Sequence, residues 1–477
     1  MIKVLFAAAE AVPFIKTGGL GDVIGSLPKE LVKQGLDVRV MLPLYRDIAE
    51  EYLDQLTVVH RLVVPVGWRR QPCDIAQLKH EGVTFYFVGN DYYFNRSGVY
   101  DHPDNAERFA FFCRAVLEAL PKVEFQPDIL HCHDWHTGMV SVLLRAHYAK
   151  LNFYSGIKTV FTIHNLEYQG NFAPDILGDM LDLGWEYFTP DRVEAAGQVS
   201  FLKGALNSAD YLTTVSTSYA KEILAPEHGR NMDGLLRKRS GQLVGINNGI
   251  DYQQYNPRKN TMIYTSFDAR SLRRRSENKR QLQQDLQLEQ HLNIPLMGLV
   301  ARLVDAKGID LMIAALPDIM ALNTQLTVLG TGEKRYQQFW EEAALRYPGR
   351  IAVNIGFDTR LAHRIYAGSD LFLMPSRYEP CGLSQLNALR YGSIPVVHAT
   401  GGLKDTVQPY DSMTGEGTGF SFTEYTPSGL IAAIQQAIEV YNIPKAWNKL
   451  IRSAMKQDFS WQQPAGQYKE LYRRVLV

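Results

Sequence analysis

Lys16-Thr17-Gly18-Gly19-Leu20-Gly21-Asp22 places a cation and three glycines between the apolar run Lys3-Val4-Leu5-Phe6-Ala7-Ala8 and the amphipathic run Val23, Leu27, Leu31, Val32. Strand, glycine loop and helix start form an anion site. Backbone N–H groups without helical partners are expected to point outward, the helix dipole favours negative charge, and Lys16 adds a full positive charge. Glycine lets a phosphate approach the backbone where a Cβ would block it. The order G-G-x-G, with its lysine ahead of the glycines, matches neither the dinucleotide fingerprint nor the triphosphate P-loop. A tight bend with no ligand is the other reading of this loop.

Similar chemistry recurs further on. In Arg302-Leu303-Val304-Asp305-Ala306-Lys307-Gly308, two cations five residues apart flank a turn into a helix, a second anion site. Pro375-Ser376-Arg377-Tyr378-Glu379-Pro380-Cys381-Gly382-Leu383 sets a carboxylate just before Gly382 and a helix start. Thr400-Gly401-Gly402-Leu403 echoes Thr17-Gly18-Gly19-Leu20, whereas Gly330-Thr331-Gly332 is a lone G-x-G, a weak signal that a tight turn would also satisfy. His131-Cys132-His133-Asp134-Trp135-His136 carries metal-type ligands, but strand neighbours point to opposite faces. A hydrogen-bonding cluster is expected there instead of a metal, with Asp134 capping the next helix. In His164-Asn165, both side chains can donate and accept, which suits sugar hydroxyls; a structural histidine is the alternative.

The elements that must position these residues alternate in type. Strands are expected at 37–43, 128–132, 158–163 and 211–215, with helices at 106–120, 137–149 and 192–208 and less regular extended segments from about 56 to 90. The pattern then restarts: strands at 296–301, 325–329, 350–355, 370–374 and 394–398 alternate with helices at 309–321, 333–346, 359–368 and 383–391. Helices 427–441, 444–456 and about 461–474 follow. Such alternation is the mark of α/β doubly wound parallel sheets. We expect a first Rossmann-like domain over 1–245, a second over 246–458, and a final segment, 459–477. Two such domains leave a cleft at the carboxyl ends of their strands, where these sheets bind ligands.

Composition agrees with that architecture. A chain of 477 residues is too long for one ordinary core. Lys plus Arg, 50, equals Asp plus Glu, 50, so net charge argues for neither nucleic acid nor membrane. The basic run Arg270–Arg280 is expected to be a solvated helix face or a surface loop. Cys73, Cys113, Cys132 and Cys381 form no C-x-x-C pair, which fits a reducing, cytoplasmic setting without structural zinc. No apolar stretch is long enough to span a membrane.

Two cation sets, polar sugar-binding candidates and one carboxylate fit a diphosphate joined to a sugar, the donor of a nucleotide-sugar-dependent glycosyltransferase. No D-x-D pair stands at a strand end, so Lys16, Arg302 and Lys307 are expected to stabilise the leaving diphosphate without a metal or other cofactor. Taken together, Lys16 to Val23, His133 to His136, His164-Asn165-Leu166, Asn248-Gly249, Arg302 with Lys307-Gly308, and Pro375 to Leu383 resemble the bacterial glycogen synthase and plant starch synthase family, in the right order over nearly the whole chain.

The resemblance implies a glycosyltransferase B fold whose last helix crosses back to the first domain. It implies transfer of glucose from ADP-glucose to the non-reducing end of an α-1,4-glucan such as glycogen, with retention. It gives Lys16, Gly18 and Gly19 as first-domain donor contacts, Arg302 and Lys307 as diphosphate ligands, and Glu379 as the carboxylate on the glucose. It places His164 under the reacting sugar, Asp134 and Asn248 in the cleft, and Phe357 against the adenine. Asp22, Asn165, Cys381, Gly382, Leu383, Thr400 and Gly401 complete the implied substrate-binding set. Many relatives of this fold carry a second Glu eight residues after the first; here that position is Asn387, and no second-carboxylate role carries over. Same-face attack, with the leaving phosphate oxygen taking the acceptor's proton, is favoured over a covalent route through His164 or Asp134. The rivals are a UDP-glucose or sucrose synthase-like transferase, a nicotinamide dehydrogenase, for which no G-x-G-x-x-G follows the first strand, and a non-enzymatic glucan binder. A homo-oligomer remains open.

Overall fold

The computed structural model describes residues 1–477. It divides into two units, Met1–Asn248 with Trp461–Val477, and Gly249–Ser460.

The first unit contains strands β1 (Lys3–Ala7), β2 (Asp37–Pro43), β3 (Thr57–Val66), β4 (Arg69–His80), β5 (Val83–Gly89), β6 (Ile129–His133), β7 (Lys158–Ile163), β8 (Asn171–Phe172), β9 (Glu194–Ala195), β10 (Gln198–Ser200), β11 (Tyr211–Thr214) and β12 (Leu243–Gly245). Nine of them form one sheet in the order β12-β11-β7-β6-β1-β2-β5-β4-β3. Its central strands are parallel, and β1 and β6 are buried on both faces, as their unbroken apolar runs require. The segment expected to be irregular, 56–90, is an antiparallel ladder of three strands with one register shift, between Val58 and His60. Gly67, at φ 56°, turns β3 into β4, and a Cβ there would lie 2.0 Å from the Asp179 carbonyl oxygen. Edge strand β3 exposes Val58, Val59 and Val63, which blurs the alternation a strand normally shows.

Two helices differ from expectation. The stretch 192–208 opens as the β9–β10 hairpin, because Ala196 and Gly197 both take positive φ, 50° and 77°, the geometry of a tight hairpin turn. Its helix begins only at Phe201, where the Ser200 hydroxyl accepts the Lys203 N–H at 3.2 Å. The stretch 137–149 changes pitch, from a 3₁₀ turn (Trp135–Thr137) through an α segment (Gly138–Leu143) to a π turn (Leu144–Tyr148). The final helix, Gln462–Leu476, packs on helix Gly19–Lys33 and buries Tyr468, Leu471, Tyr472 and Val475.

The second unit is a six-stranded, all-parallel sheet of β13 (Leu296–Val300), β14 (Gln325–Gly330), β15 (Ile351–Ile355), β16 (Leu371–Met374), β17 (Ile394–His398) and β18 (Phe420–Phe422), in the order β15-β14-β13-β16-β17-β18. Helices on its faces close a core that includes Trp340, Leu326, Phe372 and Val396.

The basic run is neither a loop nor a wholly solvated face. It lies on helix Leu272–Asp285, where Arg273 and Arg274 are exposed but Arg275 and Lys279 are buried. The Lys279 ammonium meets Asp370 at 2.6 Å and donates to the Leu292 and Ile294 carbonyls at 2.9 and 2.7 Å; Arg275 lies 3.6 Å from the same carboxylate. Asp370 also accepts the Leu296 N–H at 2.9 Å, tying the helix to the start of β13. Replacing Asp370 with Asn strands two buried cations. It is expected to destabilise the protein by about 3–5 kcal/mol in urea unfolding, while Arg273→Ala changes stability by less than about 0.5 kcal/mol. No helix is long and apolar enough to cross a membrane.

Candidate active site

In the second unit, the loops after β13, β16 and β17 converge. Gly308, at φ 73°, closes the first loop against the second; a Cβ there would lie 2.0 Å from the Pro375 carbonyl oxygen. Gly401, at φ 46°, does the same for the third, 2.0 Å from the carbonyl of Glu379, and the Gly402 N–H donates to that carbonyl at 3.2 Å. The echo of the glycine motif at 400–403 is therefore the floor beneath the carboxylate loop. Glu379 is buried, and its Oε2 accepts from the Lys307 ammonium at 2.6 Å and the Ser376 hydroxyl at 3.0 Å. Arg302 is exposed, and its guanidinium has no protein partner. Phe357 is 84% exposed, an aromatic with no role in the core. Cys381 is buried, and Gly382, at φ 71°, lets the loop turn towards Leu383 and helix Ser384–Tyr391. Arg377, also in this loop, pairs with Asp310 at 2.6 Å and lies over the Tyr425 ring.

In the first unit, the glycine loop departs from expectation. Its N–H groups do not all point outward: Glu10, two residues beyond the β1 run, accepts the Thr17 N–H at 2.5 Å, the Thr17 hydroxyl at 2.7 Å and the Gly18 N–H at 3.1 Å. The Tyr100 hydroxyl donates to the same carboxylate, and its ring stacks on His136 at 4.7 Å. Lys16 pairs with Asp22 at 2.7 Å and stays nearly half exposed. Gly18 has extended backbone at φ −152°, and a Cβ there would meet no protein atom within 4 Å. The fold thus admits a larger residue at 18, and glycine leaves space for a ligand. Gly18→Ala is expected to keep the wild-type Tm but raise the KM for the donor about tenfold, as one crowded contact of roughly 1.4 kcal/mol would do.

Asp134 stands at the N-cap position of the Trp135–Thr137 turn, but its side chain caps nothing there. Its backbone sits at φ 57°, ψ 177°, a region natural only to glycine, which costs of order 1–3 kcal/mol. From there its carboxylate crosses to the end of β7 and accepts the His164 N–H at 2.8 Å. The strain therefore aims a carboxylate at the neighbouring strand end. His131 and His133 share one face of β6, with rings 4.2 Å apart. His133 Nδ1 meets His164 Nε2 at 3.0 Å, and His131 meets the Tyr472 hydroxyl at 2.8 Å and Thr162 Oγ1 at 2.6 Å. Asn165 turns its amide oxygen onto the Glu167 N–H at 3.0 Å. Asn248 is buried with its amide oxygen unpartnered. A cavity of about 530 Å³ in the same unit is lined by Trp135, Tyr168, Gln169, Phe172 and Arg230 among others.

Burial governs the electrostatics of this cluster. It pushes His164 and His136 down to about 3, and His131 and His133 well below the usual imidazole value, so all four are neutral at pH 7. It raises Asp134 to about 7, against the stabilising N–H groups of His164 and Asn165. The histidines bind fewer protons folded than unfolded, so their share of stability is lost as pH falls from about 6.5 towards 3. Asp134 has the opposite sign: its contribution is present at low pH and is lost as pH rises through about 7. Four groups outweigh one. The urea midpoint is expected to fall between pH 7 and pH 5, each fully coupled histidine contributing about 1.4 kcal/mol per pH unit; a flat midpoint would contradict the neutral cluster.

Glu10 and Tyr100 are site residues that motif reading misses, and Ser376, inside the 375–383 motif, received no role from it. Glu10 and Ser376 stand just past strand ends, a positional signal; Tyr100 lies 90 residues from its partner and carries none.

Comparison with known proteins follows the two units. The starch synthase catalytic domain profile matches residues 3–238, and that of glycosyl transferases group 1 matches residues 283–454. The chain is 52% identical over 475 residues to a glycogen synthase of Desulforamulus reducens, covering 100% of this chain and 99% of that protein. It is 50% identical over 476 residues to one of Anoxybacillus flavithermus, covering 100% and 98%. The catalytic domain of Starch Synthase IV from Arabidopsis thaliana, solved bound to ADP and acarbose, superposes with a TM-score of 0.92 at 34% identity, covering 100% of this chain and 99% of that one.

Proposed function

We infer the chemistry from one premise: this chain belongs to the glycogen synthase and starch synthase family of glycosyltransferases. It transfers glucose from ADP-glucose to the non-reducing end of an α-1,4-glucan and releases ADP, with retention at the anomeric carbon. The observation that carries the reading is the second-unit constellation: an unpartnered Arg302 beside a loop in which Lys307, Ser376 and Glu379 meet. A leaving diphosphate needs cations, and the sugar it leaves behind develops positive charge that a buried carboxylate stabilises.

In this reading Arg302 and Lys307 hold the diphosphate, Lys16 adds a third cation, and Glu379 faces the glucose. Phe357 offers its exposed ring to the adenine. Thr400 and Gly401 support the carboxylate loop from below, and Cys381, Gly382 and Leu383 line it. In the first unit Gly18, Gly19, Asp22, Asp134, His164, Asn165 and Asn248 contact the sugars. The aromatic and amide lining of the cavity at Trp135 and Tyr168 suits a glucan acceptor, since ring faces stack on sugars and amides bond their hydroxyls. Asp134, burdened by burial and engaged with a backbone N–H, is a poor nucleophile, which favours same-face attack over a covalent glucosyl intermediate.

The test is to incubate the protein with glycogen and either ADP-glucose or UDP-glucose, and to measure nucleotide release and glucan growth. Release of ADP coupled to chain extension is expected, with UDP-glucose much the poorer donor. Release without extension, or no release from either donor, would overturn the reading.

A further inference from the structure

We propose that His133 is a positioning residue that holds His164 in the tautomer protonated at Nδ1, so that His164 presents a hydrogen-bond donor, and no lone pair, to the reacting sugar. The proposal deepens the reading above and rests on it for the identity of the ligand.

The argument is a count of protons. The 3.0 Å contact joins Nδ1 of His133 to Nε2 of His164, so one of the two nitrogens must carry a hydrogen and the other must not. His133 is fully buried, its ring stacked on Phe6 and tilted against His131, and its Nε2 has no partner. Were His133 the acceptor, its proton would sit on that Nε2 as a buried N–H with nothing to bond, and orphaned N–H groups are among the rarest features of folded proteins. With His133 as the donor, only a lone pair is left unmatched. His164 Nε2 then accepts, and the proton of its neutral ring is on Nδ1.

His131 does not disturb this assignment. Its two nitrogens face the hydroxyls of Tyr472 and Thr162, each able to donate or accept, so it adapts to either tautomer. Burial keeps all three rings neutral, so no second proton enters the chain. The His164 backbone N–H is held by Asp134, which fixes where the ring stands. Nδ1, which has no protein partner, is the nitrogen left for a ligand. An N–H there can donate to a sugar hydroxyl or a phosphate oxygen. It cannot attack the anomeric carbon, because its lone pair is delocalised into the ring. The tautomer therefore disqualifies His164 as a covalent nucleophile and gives it the work of orienting the donor.

The decisive measurement is ¹⁵N NMR of the full-length wild-type protein labelled at histidine, with the His164 signals assigned through their loss in His164→Gln. A pyrrole-type Nδ1 and a pyridine-type Nε2 are expected; the reverse pattern overturns the proposal whatever the activity. His133→Asn, whose amide N–H₂ takes the place of Nδ1–H, is expected to preserve this pattern and most of kcat. His133→Leu is expected to scramble the His164 tautomers and lower kcat about 10- to 100-fold, the size of loss that follows removal of the outer partner of a metal-ligating histidine, with the KM for ADP-glucose changing less. A folded His133→Leu with wild-type kcat, or an Asn variant no better than Leu at equal Tm, would also overturn it. If the leucine variant does not fold, the wild-type spectrum still decides. If the wild type transfers no glucose while the spectrum is as expected, the functional reading fails and the tautomer assignment stands.

Discussion

Lys307→Ala lowers kcat/KM for ADP-glucose about 10²- to 10³-fold, the loss usual when one stabiliser of developing charge is removed. Lysine has three N–H donors, and Glu379 occupies one, at 2.6 Å. Two remain for phosphate oxygens, each charge-assisted bond being worth roughly 1.5–3 kcal/mol. The diphosphate is anionic before reaction and more so as it leaves, so KM rises and kcat falls together. The substitution also strips Glu379 of its cation inside a buried loop, and Tm is expected to drop. Lys307→Arg keeps the charge but exchanges a compact ammonium for a planar fork, and recovers only part of the rate. Steady-state kinetics with ADP release as the signal, read beside thermal unfolding, separates the two losses. Near-wild-type turnover in a folded Lys307→Ala protein would remove Lys307 from the reaction.

Glu379→Gln is expected to act almost wholly on kcat, lowering it by about two to three orders of magnitude while the KM for ADP-glucose stays within a few-fold. The amide keeps the shape of the carboxylate and still accepts from Ser376, so the loop stands. Only the charge is lost. Positive charge appears on the glucose only as the bond to the diphosphate breaks, and an interaction made only in the transition state shows in kcat. Lys307 and Glu379 touch, so their effects are not additive. Lys307→Met with Glu379→Gln together should cost less than the product of the single losses, because each single change also leaves a stranded charge. A Glu379→Gln enzyme with raised KM and unchanged kcat would make Glu379 a binding group instead.

The parallel sheets were legible because strands buried on both faces read as unbroken apolar runs, such as Val4 to Ala8 and Leu371 to Met374. The loops at 302–308, 375–383 and 400–402 were legible for a related reason: parallel sheets present ligands at strand ends, and glycines mark where those loops must pack closely. What escaped depends on partners far away in sequence. Nothing near Glu10 says that it occupies the N–H groups of Thr17 and Gly18, or that Tyr100 joins it. Asp134 precedes a helical turn and looks like a cap; only its unusual φ turns it to His164 instead. Arg275 and Lys279 look like solvated charges until Asp370, at the start of another strand, meets them. Local periodicity carries the elements, whereas polar partnerships across tens of residues depend on topology.

The assignment of Trp461–Val477 to the first unit has a consequence for synthesis on the ribosome. Domains generally fold as they emerge, N-terminal first, at about 5–20 residues per second. This chain departs from that order. When Asn248 appears, the surface that will receive Tyr468, Leu471, Tyr472 and Val475 is still bare, and His131 lacks its tyrosine. All of Gly249–Ser460 must be translated first, a wait of roughly 10–40 s at that pace. The second unit, contiguous in sequence, can be complete before the first is closed. During that interval an apolar patch beside helix Gly19–Lys33 stands open to chaperones and to neighbouring nascent chains, until Trp461–Val477 seals it.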